Sequence, residues 1–155
     1  HGRMDTTFGK SLAVDHDFVV VGAPGSPWEP HSVGAAYIYS LQNQNWVLYG
    51  ILRSVYANMS HSFGENVAIG GDAIVVSSRT NVFQEASLSI FLHDGHAGQW
   101  VLHDVIQPDP SRVSGIGFAS SIATDGETLI VGARNTDMEE ETDAGAAYSF
   151  GCDST

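Results

Sequence analysis

The chain has 155 residues, a formal net charge of −12 and a single lysine, Lys10. A surface this acidic repels phosphate backbones and anionic lipid, which sets nucleic acid and membrane surfaces aside and leaves cations or basic partners. No run approaches the ~18 apolar residues of a membrane-inserting helix, and 43% hydrophobic with 15% charged residues is the balance of a chain with a core, not of a disordered one.

The apolar runs are short, rich in Val and Ile, and separated by turn residues, the pattern of many strands. In chain order, the first strand is expected at 10–14, closed by a tight Asp15-His16-Asp17 turn. The second is expected at 18–21, ending at Gly22-Ala23-Pro24. A loop over 25–33 leads to a third strand at 35–41, and a polar turn leads to a fourth at 46–52. The order then repeats. Phe8, Phe63 and Phe118 stand 55 residues apart, and Asp17, Asp72 and Glu127 keep that interval. Gly22-Ala23-Pro24, Ser77-Ser78-Arg79 and Gly132-Ala133-Arg134 share one register. Gly34-Ala35-Ala36-Tyr37 returns as Gly145-Ala146-Ala147-Tyr148, and Trp46-Val47-Leu48 as Trp100-Val101-Leu102.

A unit of four short antiparallel strands cannot bury both faces alone and must stack on neighbours, as propeller blades do. The fold expected is all-β: three four-stranded antiparallel repeats of about 55 residues, near 8–62, 63–117 and 118–155, the last lacking its outer strand. Residues 1–155 then form one propeller segment of eleven strands. Small residues at Gly22-Ala23 and Gly132-Ala133 suit places where backbones approach closely. Trp46 and Trp100 recur in register, so both are expected to pack between blades. Three units fall short of the roughly 4 to 8 that close a ring, so the rest of a longer parent chain, other chains or further copies are expected to complete the propeller. The start at His1 reads as a processed chain or a fragment.

Phe8-Gly9, Phe63-Gly64 and Gly22-Ala23-Pro24 resemble the two halves of the FG-GAP repeat, the unit of the propeller at the head of integrin α subunits. The third copy departs from the pattern, with Ala119 after Phe118 and Arg134 in place of the proline. The resemblance implies a β-propeller and an adhesion, scaffold or ligand-binding role, with an extracellular setting. Many members bind calcium through an Asp-x-Asp-x-Asp-Gly loop, and no such string occurs here.

Candidate sites fall in the loops. The acidic stretch with Asp137, Glu139, Glu140, Glu141 and Asp143 offers hard oxygens, making Asp137, Glu139, Glu141 and Asp143 the candidate calcium ligands. Against this stands a solvated acidic loop, because glycine-punctuated ligand spacing is missing. His93-Asp94-Gly95-His96 places two histidines near each other, but in a polar turn. Asn58-Met59-Ser60 is a glycosylation acceptor pattern between the first two units. Trp28, with Glu29 and His31, sits in a proline-stiffened loop without counterpart in the other units, and marks a candidate interaction loop. Cys152 has no partner within the chain for a disulfide.

No nucleophile elbow, phosphate loop or zinc motif occurs. The expectation is a non-enzymatic interaction, adhesion or assembly module. One alternative is a lectin-like or small-ligand-binding propeller, which the unequal second-to-third-strand loops disfavour. Another is the accessory domain of a larger hydrolase.

Overall fold

A computed structural model describes residues 7–25, 33–55, 62–79, 86–108, 117–134, 136 and 144–151. These residues form eleven strands in three antiparallel sheets of four, four and three strands. Blade 1 is β1 (Ser11–Asp15), β2 (Phe18–Ala23), β3 (Ala35–Gln42) and β4 (Asn45–Leu52), each paired with the next. Blade 2 is β5 (Val67–Gly70), β6 (Ala73–Arg79), β7 (Ala86–Asp94) and β8 (Gln99–Ile106). Blade 3 is β9 (Phe118–Thr124), β10 (Thr128–Ala133) and β11 (Ala146–Gly151), so the expected division into eleven strands holds.

The second strand ends within Gly22-Ala23-Pro24 as expected, at Ala23, and Gly22 and Ala23 stay in its ladder, pairing with Ala36 and Ala35. A Cβ at Gly22 would collide with the carbonyl oxygen of Gly64 from blade 2. Gly22 therefore keeps the ladder intact while admitting the neighbouring backbone.

Two apolar clusters join the blades. Between blades 1 and 2, Val20, Ala36 and Ile38 meet Phe63, Val67, Ile74 and Phe91. Between blades 2 and 3, Val75 and Leu88 meet Phe118, Leu129 and Val131. In β6, Ile74 and Val76 face one cluster and Val75 the other, so every residue before Arg79 is buried. In β1 and β10 exposed residues alternate with less exposed ones, the signature of strands covered on one side.

Candidate interaction face

The joint between blades 1 and 2 is built around the Phe63-Gly64 pair. Gly64 has a φ of +95°, and a Cβ there would lie 2.5 Å from the carbonyl oxygen of Ala35 in blade 1. The preceding Phe63 is fully buried, and its amide donates to the Val33 carbonyl at 3.1 Å. The Phe-Gly pair of blade 2 thus wedges into the Gly22-Ala23 and Ala35-Ala36 segments of blade 1. Within its own blade, Gly64 donates to the Ser77 carbonyl at 2.9 Å, and Gly9 to the equivalent Gly22 carbonyl at 3.0 Å.

One hydrogen bond crosses each joint at the same register. Ser11 Oγ donates to the Gly64 carbonyl at 3.1 Å, and Asn66 Nδ2 donates to the Ala119 carbonyl at 2.9 Å. Donors and acceptors both advance by one repeat, since 11 and 66, like 64 and 119, differ by 55. The turns after the first strands also meet: Gly71 N donates to Asp15 Oδ2 at 2.8 Å. The flush packing of Gly70 on the Asp125-Gly126 backbone repeats the contact at the next joint.

An aromatic group further bridges blades 1 and 2. Phe18 meets Tyr49 and Trp100 edge-on at centroid distances of 5.3 and 5.7 Å, and His93 lies 5.0 Å from Trp100. The Tyr49 hydroxyl donates to the Gly98 carbonyl and lies 3.2 Å from His93 Nε2. Asp94 Oδ1 closes the adjoining turn by accepting from the amides of His96 and Ala97. His93 is thus engaged with an aromatic neighbourhood across the joint.

The outward face of blade 1 carries the parts that are buried in the other blades. Leu12 is 67% exposed where Val67, one repeat later, is 6% exposed. Phe8 is 47% exposed where Phe63 is fully buried. Val14, Trp46 and Leu48 continue this apolar face. Here one expectation fails: Trp100 packs between blades, whereas Trp46 is exposed, because its side of blade 1 has no neighbouring blade among the described residues. Full burial of one such large side chain contributes about 1.5–3 kcal/mol, so the face is a strong candidate for association.

Of the loop candidates, His93 and Asp94 enter this picture, and both lie in β7 rather than in the turn expected for them. Trp28, Glu29, His31, Asn58, Asp137, Glu139, Glu141 and Asp143 lie outside the described residues. Three blades short of a ring imply a bare end face, and its residues are visible in sequence as Phe8, Leu12 and Val14 in register with Phe63, Val67 and Ile69.

The FG-GAP repeat model matches residues 2–39 and 113–150, covering β1, β2 and most of β3 in blade 1 and nearly all of blade 3. The chain carries FG-GAP repeats at these two places. Its middle blade keeps Phe63-Gly64 but has Ser77-Ser78 where the matched segments have Gly-Ala. Ser77 Oγ there accepts from the Asn66 amide at 2.8 Å. Among solved structures, Sqt1 from Saccharomyces cerevisiae is similar at 14% identity with a TM-score of 0.51, over 93% of the FG-GAP chain. The likeness is one of fold, to part of a WD40 propeller. The FG-GAP chain spans 35% of the length of that structure, about a third of a propeller protein. No curated protein matches it.

Proposed function

We propose that this FG-GAP chain is a non-enzymatic interaction or assembly module that works within a larger propeller, in an extracellular setting. The observation that carries the reading is the outward face of blade 1. Its residues repeat, position for position, a docking surface that blades 2 and 3 bury against their neighbours. Such a face is built to be covered, by further blades, and the loops are left to carry specificity.

Sedimentation combined with binding of an apolar-surface dye tests this. The reading expects an associated species, or a monomer that binds the dye and loses that binding on Leu12→Ser with Val14→Ser. A monomer that binds no dye overturns it.

A further inference from the structure

Two Asp-Gly pairs stand where hairpins turn, Asp94-Gly95 between β7 and β8 and Asp125-Gly126 between β9 and β10. In such a pair the amide nitrogen after the aspartate can approach the side-chain carboxyl closely, because glycine has no Cβ to shield it. Both carboxyls are held alike. Asp94 Oδ1 accepts from the His96 and Ala97 amides at 2.9 and 3.1 Å, and Asp125 Oδ1 from the Glu127 and Thr128 amides at 3.0 and 2.7 Å. These bonds fold each carboxyl over the peptide that follows it. The two glycines differ. Gly126 donates its amide to Thr124 Oγ1 at 3.1 Å, and a Cβ there would lie 2.7 Å from the Gly70 carbonyl oxygen of blade 2. That nitrogen is engaged and its turn is clamped by the joint, so it reacts only after the joint opens locally. Residues 94–99 are all exposed, and a Cβ at Gly95 would meet nothing within 4 Å. Among the described residues the Gly95 amide has no hydrogen-bond partner.

We propose that Asp94-Gly95 is a site of spontaneous backbone isomerisation, and that its modification loosens the joint between blades 1 and 2, while the next joint shields Asp125-Gly126. The Gly95 nitrogen attacks Cγ of the protonated Asp94 carboxyl. The N–Cγ bond forms, the Cγ–OH bond breaks, and the hydroxyl leaves with the amide proton as water. Water then adds to the resulting succinimide. Opening at the former main-chain carbonyl carbon gives isoaspartate, and opening at Cγ restores aspartate. One water is released and one taken up, so no co-reactant is needed. Isoaspartate carries the main chain through Cβ and Cγ, one carbon longer, and leaves the old main-chain carbonyl as a free carboxylate. In the unmodified chain that carbonyl accepts from the Gly98 amide at 2.7 Å, and the Gly98 carbonyl accepts from the Tyr49 hydroxyl of blade 1. A longer turn displaces Gly98 from Tyr49.

The test is prolonged incubation of the whole chain at neutral pH, native and in concentrated urea, followed by trypsin. Cleavage at Arg79, Arg112 and Arg134 puts Asp94 in the 80–112 peptide and Asp125 in the 113–134 peptide. Isoaspartate is read by methyl transfer from an isoaspartyl methyltransferase, and its position by electron-transfer fragmentation. The native chain is expected to accumulate it at residue 94 and not at 125, and the urea-unfolded chain at both. Gly95→Ala shields the nitrogen without meeting a neighbour, so the fold stays, checked by circular dichroism, and the signal at 94 is lost. A native chain with no isoaspartate at 94, or with as much at 125, overturns the proposal. So does a Gly95→Ala chain that isomerises as fast as its parent. The modified chain, separated by chromatography, is expected to unfold at a lower urea midpoint than the unmodified one, with that difference lost in a Tyr49→Phe background. An unchanged midpoint, or an equal fall in that background, overturns the effect on the joint.

Discussion

Glycine after the repeat phenylalanine should be costly to replace in proportion to the neighbour pressed against it. Gly9 and Gly64 have φ of +88° and +95°, beyond the left-handed well near +57° that an alanine tolerates. The same position in blade 3 is Ala119, and its φ of +58° lies in that well. Forcing alanine to the glycine conformation costs roughly 1–2 kcal/mol, offset by about 0.4–1 kcal/mol from a stiffer unfolded chain. Gly9→Ala meets nothing more, since no atom lies within 4 Å of its Cβ. Gly64→Ala also drives a methyl against the Ala35 carbonyl at 2.5 Å and the Ala23 amide nitrogen at 3.0 Å. Backbone cannot swing aside as a flexible side chain would, so the added cost is that of overpacking, about 1–3 kcal/mol. At about 2–4 °C per kcal/mol for a chain of this size, Gly9→Ala lowers the melting temperature by about 2–4 °C. Gly64→Ala should lower it by about three times as much. Thermal unfolding followed by circular dichroism, at a dilution where the chain is monomeric, reads both. Equal losses for the two variants would refute the wedge of Gly64 into blade 1.

Trp100→Ala should cost about 3 kcal/mol in urea unfolding, the low end for an aromatic removed from a packed site, while Trp46→Ala stays within about 0.5 kcal/mol in the monomer. Tyr49→Phe keeps the ring and loses the hydroxyl that joins Gly98 and His93, so the urea midpoint should fall by the equivalent of about 1 kcal/mol. Asp125 accepts hydrogen bonds from the amides of Thr128 and Glu127, which hold its carboxyl below the ordinary 3.8. Its folded pKa is depressed, so its contribution is present above the unfolded value and is lost as pH falls through the folded one. An NMR titration should show Asp125 ionising below the usual aspartate range, and Asp125→Asn should flatten the acid limb of the stability profile at that position.

The period of the chain made the blades legible, because Phe8, Phe63 and Phe118 and the small residues in step with them hold equivalent places in three blades. The close approach at Gly22 was legible for the same reason, since only a missing Cβ explains a glycine recurring inside a strand. Trp46 was not. Its local sequence, Trp-Val-Leu, is the same as that around Trp100, and burial depends on the blade beside it, which local sequence does not encode. The Tyr49–His93 contact was equally hidden, because it is not periodic and joins residues from different strands of different blades. The Asp15–Gly71 bond rests on a turn-to-turn contact that strand patterns do not specify.

The two-sided burial of β6 bears on how the molecule opens. Blade 1 or blade 3 can detach by breaking a single joint, whereas blade 2 can loosen only after both have gone. In a stack with nearest-neighbour coupling, fluctuations therefore start at the ends and reach the centre last. Amide protons of Ile74, Val75 and Val76 should be the slowest to exchange with solvent, and those of β1 and β11 the fastest among strand residues. Capping the ends would slow exchange in the outer blades far more than in the middle one.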